Sequence, residues 1–185
     1  MTAKIYGELV PGLVVNGKAV TGGMVDERKV RAAAGLTLIL GAVAFVYAYF
    51  AKFYQPIEMI TIFFFVDFVL RVSIGLKYSM TGQVARLLTW GRKPEWVSAK
   101  PKRFAWSIGI AMSLAMVYIT NTGIRGALPL VMCMICMIFM WLEAALGLCL
   151  GCEVYAFLQR RGWIGRDPEI EVCADGVCEI EPSPQ

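Results

Sequence analysis

Apolar residues fall into four long runs separated by short polar stretches. The first spans about Val30 to Phe50 and follows Asp26-Glu27-Arg28-Lys29. Acidic side chains suit the positive end of a helix dipole, so a helix is predicted to start there. Pro56 opens the second run, about Ile57 to Leu76, which holds Ile60-Thr61-Ile62-Phe63-Phe64-Phe65-Val66 and then Asp67 and Arg71. The third run, about Phe104 to Thr120, stops at the turn Asn121-Thr122-Gly123. The fourth starts near Ala127 and stays apolar to about Leu158. A bilayer needs roughly 20 apolar residues per helix. The fourth run exceeds that, so its end is expected to protrude, tilt or break at Gly147 or Gly151. The pattern predicts an all-α membrane protein with four transmembrane helices.

The polar stretches carry weaker signals. Leu13–Val20 reads as a small hairpin around Asn16-Gly17, a dipeptide suited to a tight turn. Two strands alone are marginal in water, so this hairpin needs a surface to rest on. Gln83–Trp90 is short and amphipathic, as an interfacial helix would be. A polar loop with Pro94 and Pro101 follows, and the tail from Arg160 contains Pro168, Pro182 and Pro184. Three regions result: a cytoplasmic leader over 1–28, a transmembrane domain over 29–158 and a cytoplasmic cysteine-containing tail over 159–185.

Composition and charge support the bilayer as solvent. Hydrophobic residues make up 58% of the 185 and charged residues 17%, against about a quarter charged in soluble domains. The net charge is +4. Lys77, Arg86, Arg92, Lys93, Lys100, Lys102 and Arg103 lie between runs two and three, and Arg160, Arg161 and Arg166 follow run four. Only Lys52 and Arg125 occupy the other two connections. The positive-inside rule thus places the long loop and both termini in the cytoplasm, with the protein in the inner membrane. Basic residues flanking apolar spans orient helices rather than bind nucleic acid. The N-terminus has no long apolar core, so no secretory signal is expected. Trp90, Trp96, Trp106 and Trp163 suit interface anchors. There is no histidine, which excludes Ser–His and Cys–His pairs and His-ligated haem or zinc.

The remaining chemistry rests on carboxylates, Arg71 and cysteines. Asp67 and Arg71, four apart on one helix, serve either a proton or ion pathway or a structural salt bridge, with Arg71 able to snorkel. On the fourth helix the 3.6-residue period lines up Cys133, Cys136, Met140, Glu143, Gly147 and Gly151. That stripe is either a packing face, with Glu143 bonded to Arg71 or a hydroxyl, or a place where Glu143 manages protons for thiols. The spacing Gly147-x-x-x-Gly151 lets another helix approach closely. Cys133 and Cys136 lie inside the membrane and behave as small hydrophobes by default. Met132, Met134, Met137 and Met140 surround them, and soft ligands suit Cu(I), but only Met140 shares their stripe. Cys149-Leu-Gly-Cys152 lies at the cytoplasmic end, where it could serve as a thiolate pair, a reversible disulfide or a chelate. A cytoplasmic pair is expected to be reduced at rest. With Cys173 and Cys178, Cys149 and Cys152 could hold zinc or an iron–sulfur cluster.

Several segments carry a resemblance: Asp26-Glu27-Arg28-Lys29-Val30-Arg31, Asp67-Phe-Val-Leu-Arg71, Ala99-Lys-Pro-Lys-Arg103-Phe104-Ala105-Trp106, Cys133-Met-Ile-Cys136, Trp141–Tyr155 and Cys173–Cys178. Together, over about Val25 to Cys178, they resemble a family of bacterial four-helix membrane proteins catalogued only as a domain of unknown function. The resemblance implies association with thioredoxin-like and rhodanese-like partners, and so thiol–disulfide exchange or sulfane-sulfur handling. It marks Cys149, Cys152, Glu143, Asp67 and Arg71 as the important positions, with Cys149, Cys152 and Glu143 as the catalytic set. Two other readings stand beside it. One is a non-enzymatic scaffold subunit of a larger membrane complex. The other is a small transporter of a sulfur species or soft metal, with Asp67, Arg71 and Glu143 along its path.

Overall fold

The computed structural model describes residues 6–8, 14–15, 18–19 and 23–165. Two short strands open the chain, β1 (Val14–Val15) and β2 (Lys18–Ala19). They pair antiparallel, Val14 with Ala19 and Val15 with Lys18, the register of a two-residue hairpin. Asn16 and Gly17, expected to make its turn, lie outside the described residues, as do Cys173 and Cys178.

Strand β3 (Met24–Asp26) runs directly into helix α1 (Glu27–Phe50). Asp26 ends the strand and caps the helix: its carboxylate accepts the Arg28 N–H at 3.1 Å. Helix α2 (Gln55–Ser73) carries Pro56 in its first turn, where a missing N–H costs nothing. It stops at Ser73 rather than reaching Leu76, because Leu76–Tyr78 forms a 3₁₀ turn before helix α3 (Met80–Leu88). Strand β4 (Trp96–Ser98) leads into helix α4 (Ala99–Asn121). The sequence placed Pro101 in a loop; it sits instead in the first turn of α4, a position that tolerates proline.

Strands β3 and β4 pair antiparallel, Met24 with Ser98 and Asp26 with Trp96. This pairing fixes the starts of α1 and α4 at the same end of the molecule. Ion pairs tighten the junction: Arg28 meets Glu95 at 2.5 Å, and Asp26 also accepts the Glu95 N–H.

The fourth apolar run is not one helix. Helix α5 (Ala127–Trp141) passes into a π turn (Leu142–Leu146), and Gly147 then adopts a left-handed φ of 69°. The Leu148 N–H donates to the Leu142 carbonyl and the Gly147 N–H to Glu143, closing the helix end. Helix α6 (Leu150–Arg160) starts afresh.

Two clusters form the core. One, at the strand end, joins Val25, Val30, Phe68, Ala99 and Trp106. The other, toward the far end, joins Ala44, Ala48, Ile57, Met116 and Cys133. Trp106 is thus buried rather than an interface anchor, whereas Trp90 and Trp163 are exposed. Large apolar side chains cover the outside, among them Ile39, Val43, Met59, Leu114, Val131 and Ile138. Among the described residues three helical stretches are long and apolar enough to cross a membrane: Glu27–Phe50, Ala99–Asn121 and Ala127–Leu146. Helix α2 has 19 residues but contains Glu58, Asp67 and Arg71, a charge content unusual for a span. The molecule is mostly helical, with the outer surface of a membrane protein.

Candidate functional site

The strand end of the bundle gathers buried charge. Arg71 and Asp67 are each almost wholly shielded and meet at 2.8 Å. The guanidinium therefore does not snorkel. Its Nη2 donates to Thr81 Oγ1 at 2.6 Å and, more distantly, to Thr37 Oγ1. Thr81 closes the ring: its hydroxyl and its backbone N–H both donate to the Asp67 carboxylate. The Phe68 ring lies under the guanidinium. Tyr6 reaches in from the leader, and its hydroxyl donates to the Arg71 carbonyl. Burial pushes the Tyr6 phenol up to about 12, against the pull of Arg103 and Arg71. Among the described residues no buried side-chain polar atom of this network lacks a partner, which suits a structural clasp between α1, α2 and α3.

A second cluster lies nearby. Lys102 Nζ bonds Glu143 Oε1 at 2.6 Å and Glu27 Oε1 at 2.9 Å. Glu143 therefore pairs with Lys102, not with Arg71 or a hydroxyl. All three groups are buried, and one ammonium serves two carboxylates. Glu27 Oε2 touches Lys102 as an ion pair but makes no directed hydrogen bond among the described residues. Arg31 completes the corner by donating to the carbonyls of Ala144 and Ala145, which the π turn leaves open.

The cysteine pair follows this corner. Cys149 precedes α6, and its Sγ accepts the Cys152 N–H at 3.2 Å. The two sulfurs are joined in a disulfide, with Cα atoms 5.1 Å apart. The pair, expected as a thiolate pair, a reversible disulfide or a chelate, thus has the geometry of a disulfide. The break at Gly147 brings the sulfurs together: it restarts the helix so that Cys149 is extended and Cys152 lies one turn in. Cys149 is buried; Cys152 is half-buried. Gly151 packs directly on Ala105 of α4, where an added Cβ would lie 2.5 Å from the alanine Cβ. This contact pins α6 one turn beyond Lys102.

A cavity of about 350 Å³ runs down from this corner between the helices. Its wall includes Cys149, Lys102, Glu143 and Arg71 together with Phe64, Phe68 and Trp106. Cys133 and Cys136 are free thiols on the same wall. The predicted stripe of Cys133, Cys136, Met140 and Glu143 therefore faces one space, which Gly151 also lines from α6, whereas Gly147 belongs to the break. Among the described residues no group of three or more His, Cys, Asp or Glu could hold a metal ion. The expected four-cysteine set cannot be assembled from them, because Cys173 and Cys178 lie outside.

A family profile described as "Domain of unknown function (DUF4395)" matches residues 25–160. The chain belongs to the DUF4395 family. No curated protein and no solved structure matches the chain. The DUF4395 match begins in β3 and ends with α6. It takes in both charged clusters, the cavity and the Cys149–Cys152 pair, and stops short of Cys173 and Cys178.

Sequence reasoning singled out Asp67, Arg71, Glu143, Cys149 and Cys152, and the structure brings Arg71, Glu143 and Cys149 to one cavity. It missed Lys102, Glu27, Arg31 and Thr81. A signal for Lys102 was present: buried positions of α4 recur as Lys102, Trp106, Ser113, Met116 and Thr120, a helical stripe that continues through Pro101.

Proposed function

We propose that this DUF4395 protein is a four-span inner-membrane protein whose Cys149–Cys152 pair exchanges disulfides with a soluble thioredoxin-like partner at the cytoplasmic face. The observation that carries the reading is the placement of Cys149 at the start of α6, with its sulfur accepting a helix N–H. A helix N-terminus stabilises a thiolate, and a stabilised thiolate is a good leaving group. A partner thiolate attacks the more accessible Cys152 sulfur. A mixed disulfide forms, and Cys149 departs as thiolate with the electron pair. A second partner thiol then attacks its own sulfur in the mixed disulfide and releases Cys152 as the second thiol.

Helix α2 serves as the fourth span on topological grounds. The β3–β4 pairing holds the starts of α1 and α4 together, so a chain that crosses along α1 must return before Trp96. Helix α2 has 19 residues, or about 28 Å at the helical rise, and its Asp67 and Arg71 are neutralised by each other. The strand end also carries Arg28, Lys29, Arg86, Arg92, Lys93 and Arg103, which supports a cytoplasmic placement.

The test uses the full chain in mild detergent. Thiols are counted by maleimide mass tagging before and after reduction, zinc and iron are measured, and oxidation of a reduced thioredoxin is followed. Reduction should expose two further thiols, and Cys149→Ser should stop oxidation of thioredoxin. Full turnover in that variant sinks the exchange reading and leaves a scaffold role. Stoichiometric zinc or iron would make these cysteines a metal site instead.

A further inference from the structure

The disulfide must be regenerated after each exchange, and the structure offers a place for the oxidant. We infer that the cavity beside Cys149 binds the ring of a lipid-soluble quinone, which takes the two electrons of the Cys149–Cys152 dithiol. The inference rests on the exchange reading above.

Three observations choose this class of ligand. The cavity lies between helices whose outer faces are apolar, and its own wall is mostly apolar, which suits a ligand that partitions into the bilayer. Nucleotide or glutathione oxidants carry charges that such a wall disfavours. Its volume, about 350 Å³, falls within the range of small-ligand sites, and its mostly apolar wall with a few converging polar groups is the usual composition of one. The polar groups gather at the end that holds Cys149. Lys102 can donate to a ring carbonyl, Glu143 is bonded to Lys102, and Phe68 and Trp106 offer flat surfaces to a ring. The Gly151–Ala105 contact sets Cys149 beside the turn of α4 that bears Lys102 and Trp106.

The electron count closes. The Cys149 thiolate adds to a ring carbon, forming a C–S bond. The Cys152 thiolate attacks Cys149 Sγ, the S–S bond forms, and the C–S pair returns to the ring. Two protons from the thiols, passed through the Lys102–Glu143 pair, complete the quinol. The dithiol is oxidised by two electrons and the quinone reduced by two.

The experiment places the full chain in lipid nanodiscs, reduces it, removes the reductant under nitrogen and adds a short-chain ubiquinone. Formation of one quinol per protein, lost in Cys149→Ser, is expected. Ala34→Leu narrows the cavity from α1 and should slow quinol formation about tenfold while leaving exchange with thioredoxin at the wild-type rate. Gly41→Leu is the second variant, since a Cβ there meets nothing nearer than Met137 Cγ at 3.8 Å. Exchange with thioredoxin but no quinol, or quinol at the wild-type rate in both cavity variants, overturns the quinone site and leaves the exchange reading intact. If exchange also fails, binding decides. Saturable quenching of the Trp106 fluorescence, absent in Trp106→Phe and weakened in Gly41→Leu, supports the site, and quenching that grows linearly with quinone overturns it.

Discussion

Arg71 shows how one side chain can be legible in part. Its spacing from Asp67 places the two on one helical face, and they do pair. Thr81 completes the ring from another helix, across the 3₁₀ turn, and no periodicity links it to Asp67. Removing one member of a buried, hydrogen-bonded ion pair leaves the other uncompensated. Arg71→Met is expected to lower stability by about 3–5 kcal/mol, and Thr81→Val by about 1–3 kcal/mol. Thermal unfolding of the detergent-solubilised protein reads both. An Arg71→Met protein that melts with the wild type would mean that the guanidinium reaches water after all. Glu143 was legible as a buried carboxylate, but its partner was not. Lys102 falls just after Pro101, a residue that normally closes a helical pattern, whereas here it sits within the first turn of α4.

At the scale of elements, the length of the fourth apolar run announced a break but not its form. The glycine that breaks it is Gly147, through its left-handed φ; Gly151 works by close approach to Ala105. The two should respond differently to substitution. Gly147→Ala strains one backbone position, a cost of roughly 1–2 kcal/mol. Gly151→Val drives side-chain atoms into α4, so α6 must move away from it. Maleimide labelling of the reduced protein should then modify Cys149 faster in Gly151→Val than in wild type and at an unchanged rate in Gly147→Ala. Equal labelling in all three would mean that the Gly151–Ala105 contact does not position Cys149. The strands β3 and β4 were not foreseen, because three residues are too few for an alternating pattern to stand out.

For the whole molecule, hydropathy found the apolar helices, and the proposed crossing of α2 has a topological consequence. If α2 crosses, the connection between α1 and α2 and the loop before β4 lie on opposite sides. In a background with the native cysteines replaced, Lys52→Cys should react with an impermeant maleimide from outside the cell. Lys93→Cys should react only in inverted vesicles. Both labelled from one side would remove α2 from the spans. The charged end was foreseeable from loop composition. Its inner architecture was not, since it depends on residues far apart in sequence meeting across α1, α4 and the π turn after α5.

That separation sets an order on biogenesis. Glu27 emerges from the ribosome first, Lys102 follows 75 residues later, and Glu143 another 41 after that. Until α5 is made, the lysine has only Glu27 to hold. The two-carboxylate cluster is therefore closed by the last span to arrive, and the wall of the cavity is completed only afterwards, when Cys149 and α6 follow.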